Sequence, residues 1–276
     1  MPCSINILDQ DGLREIAYSA NSLAEGVRFE PADGIYTVAS TFQKTKTLKL
    51  DAHFDRMEQS ARLAHVALQL DRHAVRTALR QLIERVNWGD VRFRISVSAS
   101  DPSYYLLSVE PFSPPSATLI EQGTRCITAE NAARHNPEAK TTDWMHQREQ
   151  LSKAMPPHIY DTFLCDAQGY VLEGLGSNFY AILDGTLRTA GEGVLHGIAQ
   201  QIVLETAPAI LPVELKAIHR DELARCSEAF LTSSSRGIIP VVEIDGKAIG
   251  QGKVGEMTRH LRQAYQAWLE AHLEEL

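Results

Sequence analysis

Three prolines fall within the eight residues from Glu110 to Ala117 (EPFSPPSA), and they set the first limit on what this chain can fold into. Proline has no backbone N–H to give to a helix or a central strand, and its ring pushes the preceding residue out of the helical region. Neither kind of element runs through such a stretch, which suits a linker between two folded parts. The expected division is a small N-terminal domain over residues 1–112, a linker over 113–118 and a larger domain over 119–276. A length of 276 residues agrees with two lobes. With 44% apolar and 22% charged residues, the composition is that of soluble globular material able to build a real core.

On the N-terminal side, ADGIYTVASTFQ (32–43) has the pattern of a strand entered through the Asp33–Gly34 turn. Leu50, Phe54, Met57, Ala61 and Ala64 recur every three to four residues and predict a helix, with Asp51 as its N-cap. A second helix is expected to start at Asp71 and stop at Gly89. Val91, Phe93, Ile95 and Val97 then alternate with polar partners as in a half-buried strand, and YYLLSVEPF (104–112) is another. Beyond the linker, residues 119–130 are expected as strand and 142–155 as a helix stopped by Pro156–Pro157. Short strands follow at HIYDTFLCD, YVLE, NFYAIL and TLRTA, with tight turns at AQG and DG. GIAQQIVLETA is a helix ended by Pro208, and AFLTSSSRGIIPVVEIDGKAIG returns to strands through a serine turn. A terminal helix is predicted over 256–276. The class is α+β, an α+β lobe followed by a β-rich lobe with flanking helices.

A net charge of −8 and a pI near 5.7 argue against a nucleic-acid or anionic-membrane surface. The opening residues show no basic stretch followed by an apolar one, and no run approaches a membrane span. Cys3, Cys126, Cys165 and Cys226 are widely spaced and fit reduced thiols. With no CxxC and no HExxH, no metal site is expected. The expected location is the cytoplasm.

Chemistry concentrates between Arg134 and Gly197. Lys140 precedes a predicted helix, in a loop with Arg134, His135 and Asn136. Glu173 is the one acid at the end of an apolar strand, in YVLEGLG, and Gly197, Ile198 and Ala199 open a helix. A lysine, an acid and a helix N-terminus are what a pyridoxal phosphate site requires: a Schiff-base amine, a partner for the pyridine nitrogen and free amides for phosphate. Plainer roles stay open for each. Lys140 also fits a solvated surface lysine, Glu173 a rim carboxylate capping the Gly174 turn, and Gly197 a helix start that binds nothing. Ser233, Ser234 and Ser235 fit phosphate donors or simply a turn. Arg56, away from Leu50 and Phe54 on its helix, fits a balancing charge or a surface arginine.

The order of segments carries more than any one of them. HFDRMEQSA, a lone lysine, DAQGYVLEGLGSNFYAILDGTLRT, GVLHGIAQQIV and LTSSSRGIIPV follow one another as in the class IV aminotransferases, which this chain resembles over roughly residues 30 to 270. These are the fold type IV pyridoxal phosphate enzymes, including branched-chain, D-amino-acid and R-selective amine transaminases and aminodeoxychorismate lyase. The resemblance implies that Lys140 forms the Schiff base and shuttles a proton, and that Glu173 binds the pyridine nitrogen. It places Arg56, the amides of Ile198 and Ala199, and Ser234 around the phosphate, with Asn178 and Ser233 completing the cofactor-binding set. It also implies a larger domain with a β-barrel-like core, and a homodimer whose sites lie between the domains near the partner subunit.

Departures from the family pattern bear on the substrate. Tyr36–Thr37 stands where many transaminases have phenylalanine–glutamate, and is closer to the phenylalanine–threonine of the lyases. Ala199 and Gln200 replace a threonine and an arginine at the phosphate helix. Val97 and Ala99 occupy the positions of the arginine and histidine that D-amino-acid transaminases use on the substrate carboxylate. Tyr36, Trp144 and either Arg92 or Arg94 are the candidate substrate contacts, since every second strand residue faces one side. The expected activity is transamination between an amino acid or amine and a 2-keto acid through Lys140. The alternatives are an aminodeoxychorismate lyase releasing pyruvate and 4-aminobenzoate, and a catalytically silent relative that binds the cofactor or a small acid.

Overall fold

The computed structural model describes residues 2–276. They form two units: the first runs through Ser113 and includes Ala139–Glu149 and His272–Leu276, and the second comprises Pro114–Glu138 and Gln150–Ala271. The division after Ser113 falls inside the proline run.

Unit 1 opens with the hairpin β1 (Ser4–Asp9) and β2 (Gly12–Glu15), then β3 (Gly34–Ser40) and the short β4 (Lys46–Leu48). Helices α1 (Leu50–Leu63) and α2 (Arg72–Val86) lead into β5 (Val91–Ser98) and β6 (Tyr105–Pro111). Five of these strands make one antiparallel sheet in the order β2-β1-β6-β5-β3. Strand alternation puts Val91, Phe93, Ile95 and Val97 on one face with Ile35, Leu107 and Val109, where Leu50, Phe54, Met57, Leu79 and Leu82 bury them. Each such side chain contributes about 1.5–3 kcal/mol relative to exposure.

The helix ends follow local chemistry, with two shifts from expectation. α2 starts where predicted, the Asp71 Oδ1 accepting from the Ala74 amide at 2.9 Å. It ends at Asn87, in the left-handed conformation with φ 50°, before Gly89 is reached. α1 is entered through a left-handed Lys49, and Asp51 already lies inside the helix. The Leu50 amide is bound instead by Glu274 Oε1 at 2.7 Å, a partner 224 residues away that no local pattern announces.

The other face of the sheet is covered by residues 20–30. Ala20 and Leu23 pack on Ile5 and Leu106, and Val27 packs on Tyr36. Polar bonds fasten the same segment. Arg94 Nε donates to Glu30 Oε1 at 2.6 Å and its Nη1 to the Leu23 carbonyl at 3.0 Å, while the Leu23 amide donates to Glu110 Oε2 at 2.7 Å.

Unit 2 begins with α3 (Ala117–Gln122), in a region expected as strand. Ser116, the last polar residue of the linker, caps it by accepting from the Leu119 amide at 3.2 Å, so a turn of helix forms before the strand can start. Then come β7 (Thr124–Ala129), α4 (Thr142–Ala154, whose residues through Glu149 belong to unit 1), β8 (Asp161–Cys165), β9 (Tyr170–Gly174), β10 (Asn178–Leu183) and β11 (Thr186–Arg188). After α5 (Ile198–Thr206) follow β12 (Val213–Glu214), β13 (Ile218–His219), β14 (Glu228–Ser233), β15 (Gly237–Ile244), β16 (Lys247–Ala248) and α6 (Glu256–Ala271). Six strands close into a barrel in the order β10-β14-β15-β7-β8-β9, and the Glu173–Asn178 pairing returns β9 to β10. Phe163 and Phe179, with ring centres 4.5 Å apart, belong to its apolar core with Cys126, Leu231, Ile239 and Val241. All four cysteines are buried free thiols. Among the described residues, no helix is long and apolar enough to cross a membrane.

Two later segments complete unit 1. Residues 140 and 141 lie beside the start of β3, the Tyr36 amide donating to the Lys140 carbonyl at 3.0 Å and Ile35 bridging to Thr141. The expected C-terminal helix stops at Ala271, because β17 (Leu273–Glu275) pairs with β4, setting Leu273 opposite Leu48.

The Glu30–Arg94 pair is a testable element of unit 1, both side chains being almost wholly buried. Removing one partner strands a charge in a dry site, so Glu30→Ala is expected to destabilise the protein by about 3–5 kcal/mol. The double change Glu30→Ala with Arg94→Met should recover much of that loss, read from urea unfolding midpoints.

Candidate active site

In unit 1 the candidate lysine is fixed at both ends of its peptide unit. Beyond the carbonyl contact to Tyr36, the Lys140 amide donates to Ser60 Oγ on α1 at 3.0 Å. Its Nζ lies 4.6 Å from the centre of the Tyr36 ring, within range of cation–π attraction.

One turn of α1 brings His53 and Arg56 to the same hydroxyl. Arg56 Nη2 lies 3.1 Å from Thr37 Oγ1, which is 2.7 Å from His53 Nδ1. A guanidinium only donates, and Arg56 Nη2 also lies 3.4 Å from His53 Nδ1, so that ring nitrogen is an acceptor and takes the Thr37 proton while the Thr37 oxygen accepts from Arg56. That leaves His53 a neutral imidazole with its hydrogen on Nε2. Burial, with the nearby positive charges of Arg56 and Lys140, holds the His53 pKa well below its usual value. Burial pushes Arg56 down to about 10. Arg56 is 8% exposed, although its helix position admitted a surface role, and its Nε has no hydrogen-bond partner among the described residues. No carboxylate among them pairs with it. A desolvated guanidinium with a spare donor and no acid suits an anion from outside the chain.

In unit 2 the candidate acid is Glu173, 4% exposed at the end of β9. Arg134 Nη1 donates to its Oε1 and the Leu195 amide to its Oε2, each at 3.1 Å. The same guanidinium holds the carbonyls of Pro137 and Asn136, folding the loop that leads on to Lys140. Asn178, opposite Glu173 in the barrel, donates from Nδ2 to the Leu195 carbonyl at 2.8 Å. A Cβ on Gly197 would come within 2.2 Å of Asn178 Oδ1, so only glycine fits there. Ile198 and Ala199 are the first two residues of α5, and Gln200 Oε1 accepts from the Gly197 amide at 3.3 Å. Ser233 ends β14, its Oγ accepting from Arg236 Nε at 2.8 Å, and Ser234 stands in the turn that follows. Ser177 donates to Asp161 Oδ2 at 2.8 Å, bracing the bend after Glu173.

Unit 1 thus holds Tyr36, Arg56, Arg92, Arg94, Lys140 and Trp144, and unit 2 holds Glu173, Asn178, Ile198, Ala199, Ser233 and Ser234. Arg94 is engaged by Glu30 and Leu23, Arg92 pairs with Glu110 at 3.3 Å, and Trp144 is half-buried on α4. Sequence reasoning did not assign Arg134, Thr37 or His53. Arg134 had one signal: a buried acid requires a cation, and this arginine stood in the loop already singled out.

The profile of the amino-transferase class IV family matches residues 34–244. The chain is similar to a branched-chain-amino-acid aminotransferase of Pseudomonas aeruginosa, 26% identical over 82% of this chain and 79% of that one. It is also similar to a D-alanine aminotransferase of Bacillus licheniformis, 25% identical over 86% of this chain and 88% of that one. Among solved structures, a T.th. branched-chain amino acid aminotransferase with pyridoxamine 5'-phosphate superposes with a TM-score of 0.82 at 19% identity, covering 98% of both chains.

The neutral His53 predicts a pH dependence with a definite sign. Its pKa is depressed in the folded state, so the unfolded chain takes up the proton first as pH falls below about 6.5. Stability is therefore complete above that pH and declines below it, by up to about 1.4 kcal/mol per pH unit from this one group. In His53→Gln that component of the slope should vanish, as measured by urea unfolding at pH 7.5, 6 and 5.

Proposed function

Because the chain belongs to the amino-transferase class IV family, we propose that it is a pyridoxal phosphate-dependent transaminase moving an amino group between an amino acid or amine and a 2-keto acid. The observation that carries this reading is the buried Glu173 carboxylate held by Arg134 and the Leu195 amide. The chemistry supplied by bound pyridoxal phosphate is capture of an amine at its aldehyde and acceptance of the electron pair released when a Cα–H bond breaks.

The chain's residues fit that group. Arg134 and the Leu195 amide each take one oxygen of Glu173, and this charge-paired carboxylate would accept the hydrogen of a protonated pyridine nitrogen. Lys140 Nζ is the amine that would hold the cofactor between turnovers and would move the proton between substrate Cα and cofactor C4′. Its backbone anchors to Tyr36 and Ser60 limit where that nitrogen travels. Arg56 supplies a buried positive charge for the phosphate, with Thr37 and His53 fixing its direction. The amides of Ile198 and Ala199 and the hydroxyls of Ser233 and Ser234 add neutral donors. Gln200 keeps the first turn of α5 in order through the Gly197 amide, although the arginine common in the family is absent. Asn178 keeps the approach to that turn free of any side chain at Gly197.

Tyr36–Thr37 was the feature that favoured a lyase. Thr37 is accounted for by its bonds to Arg56 and His53, which serve either reaction, so it no longer separates the two. A silent relative would have no reason to keep both Lys140 and a charge-paired Glu173. A homodimer belongs to the same proposal, on the strength of the family resemblance, and so does a cytoplasmic location, on the four free thiols.

The purified protein with pyridoxal phosphate should show a visible absorbance band that borohydride fixes, and Lys140→Ala should lack it. An amino donor added alone should convert the wild-type cofactor to pyridoxamine phosphate in the first half of a ping-pong cycle. A band that persisted unchanged in Lys140→Ala would refute the assignment.

A further inference from the structure

A second cation lies against the ring that carries the Lys140 amine. The Arg148 guanidinium carbon is 5.6 Å from the centre of the Tyr36 ring, beside which Lys140 Nζ stands at 4.6 Å. Helical spacing puts it there: Met145 is buried against Tyr36 and Val27, and Arg148 follows three residues later on the same side of α4. Glu149, the next residue, leaves the helix about 100° further round.

No acid among the described residues pairs with Arg148. The Tyr36 hydroxyl is buried and has no hydrogen-bond partner among them either. An arginine without a chain carboxylate and a spare hydroxyl, both on one ring, favour an anion from outside. The fork of a guanidinium matches the two oxygens of a carboxylate. The two strand arginines that sequence reasoning offered for this task are otherwise engaged, Arg94 with Glu30 and Arg92 with Glu110.

The geometry points to Arg148 as the residue that binds the carboxylate of the amino acid and keto acid substrates, with Tyr36 as the surface it rests on. This rests on the reading of Lys140 as the reacting amine, since it is the shared ring that brings Arg148 to the same substrate. It makes a carboxylate-bearing donor the preferred class over a simple amine.

The test is equilibrium binding of unreactive ligands to the holoenzyme by calorimetry, comparing wild type, Arg148→Lys and Arg148→Gln. The ligands are butanoate, glutarate and the neutral butanamide. Arg148→Gln should weaken butanoate and glutarate about tenfold to a hundredfold relative to butanamide, the range for a charge-assisted hydrogen bond. Arg148→Lys should recover part of the loss. In the same variants, KM for amino acid donors should rise by a larger factor than kcat falls. Loss for both acids would place Arg148 at the carboxylate common to all amino acids, as inferred. Loss confined to glutarate would overturn that placement and move Arg148 to a distal carboxylate. Equal weakening of all three ligands, or no weakening, would overturn the inference altogether. The borohydride-fixed band, measured alongside, separates this from failure of the functional reading: a wild-type protein without the band refutes that reading and this inference with it.

Discussion

A carboxylate with almost no exposure to water has to be paired, and Glu173 meets that demand at the point where the barrel of unit 2 closes. Its backbone pairs with Asn178, returning β9 to β10. One side-chain oxygen takes Arg134 and the other the Leu195 amide. Three separate stretches of chain are therefore fixed by one acid: the closing strands, the loop from Arg134 toward Lys140 and the approach to α5. Asn178 extends the control by holding Leu195 and allowing only glycine at position 197. An unpaired buried charge costs several kcal/mol, so Arg134 and Glu173 depend on each other whether or not a ligand is bound. A site built this way is stiff before it binds anything, which is what a group that must hold one protonation state requires.

Strand β3 does similar service in unit 1 by simple alternation. Adjacent strand residues point to opposite faces, so Thr37 reaches His53 and Arg56 on α1 while Tyr36 turns to the other side with Val27 and Met145. One dipeptide thereby directs a buried guanidinium on one face and presents a ring to Lys140 and Arg148 on the other. A shift of β3 by one residue would exchange the two roles, and its seven-residue register with β5 guards against that.

What the sequence made legible is what depends on near neighbours. The alternating face of β5, the Asp71 cap and the tight-turned strands after Pro157 follow from period and capping chemistry alone. Lys140, Glu173 and Gly197 were each weak signals by themselves, and their order in the chain gave them weight. The rest depends on partners far apart in sequence. Arg134 and Glu173 are 39 residues apart, and Thr37 and His53 are 16 apart. The last residues look helical by composition, yet Leu273 gains more by pairing with Leu48 across a strand that local patterning does not reveal. Residues 119–122 depart from the expected strand for the opposite reason, a local cap at Ser116 that the proline run hides.

Glu173, paired with Arg134, is the acid we propose to hold a proton on the ring nitrogen of bound pyridoxal phosphate. The direct measurement is the nitrogen-15 chemical shift of ring-labelled pyridoxal phosphate bound to wild type and to Glu173→Gln. The account predicts a protonated ring nitrogen in wild type and an unprotonated one in the variant. An unprotonated nitrogen in wild type, or the same protonated shift in both proteins, would contradict it.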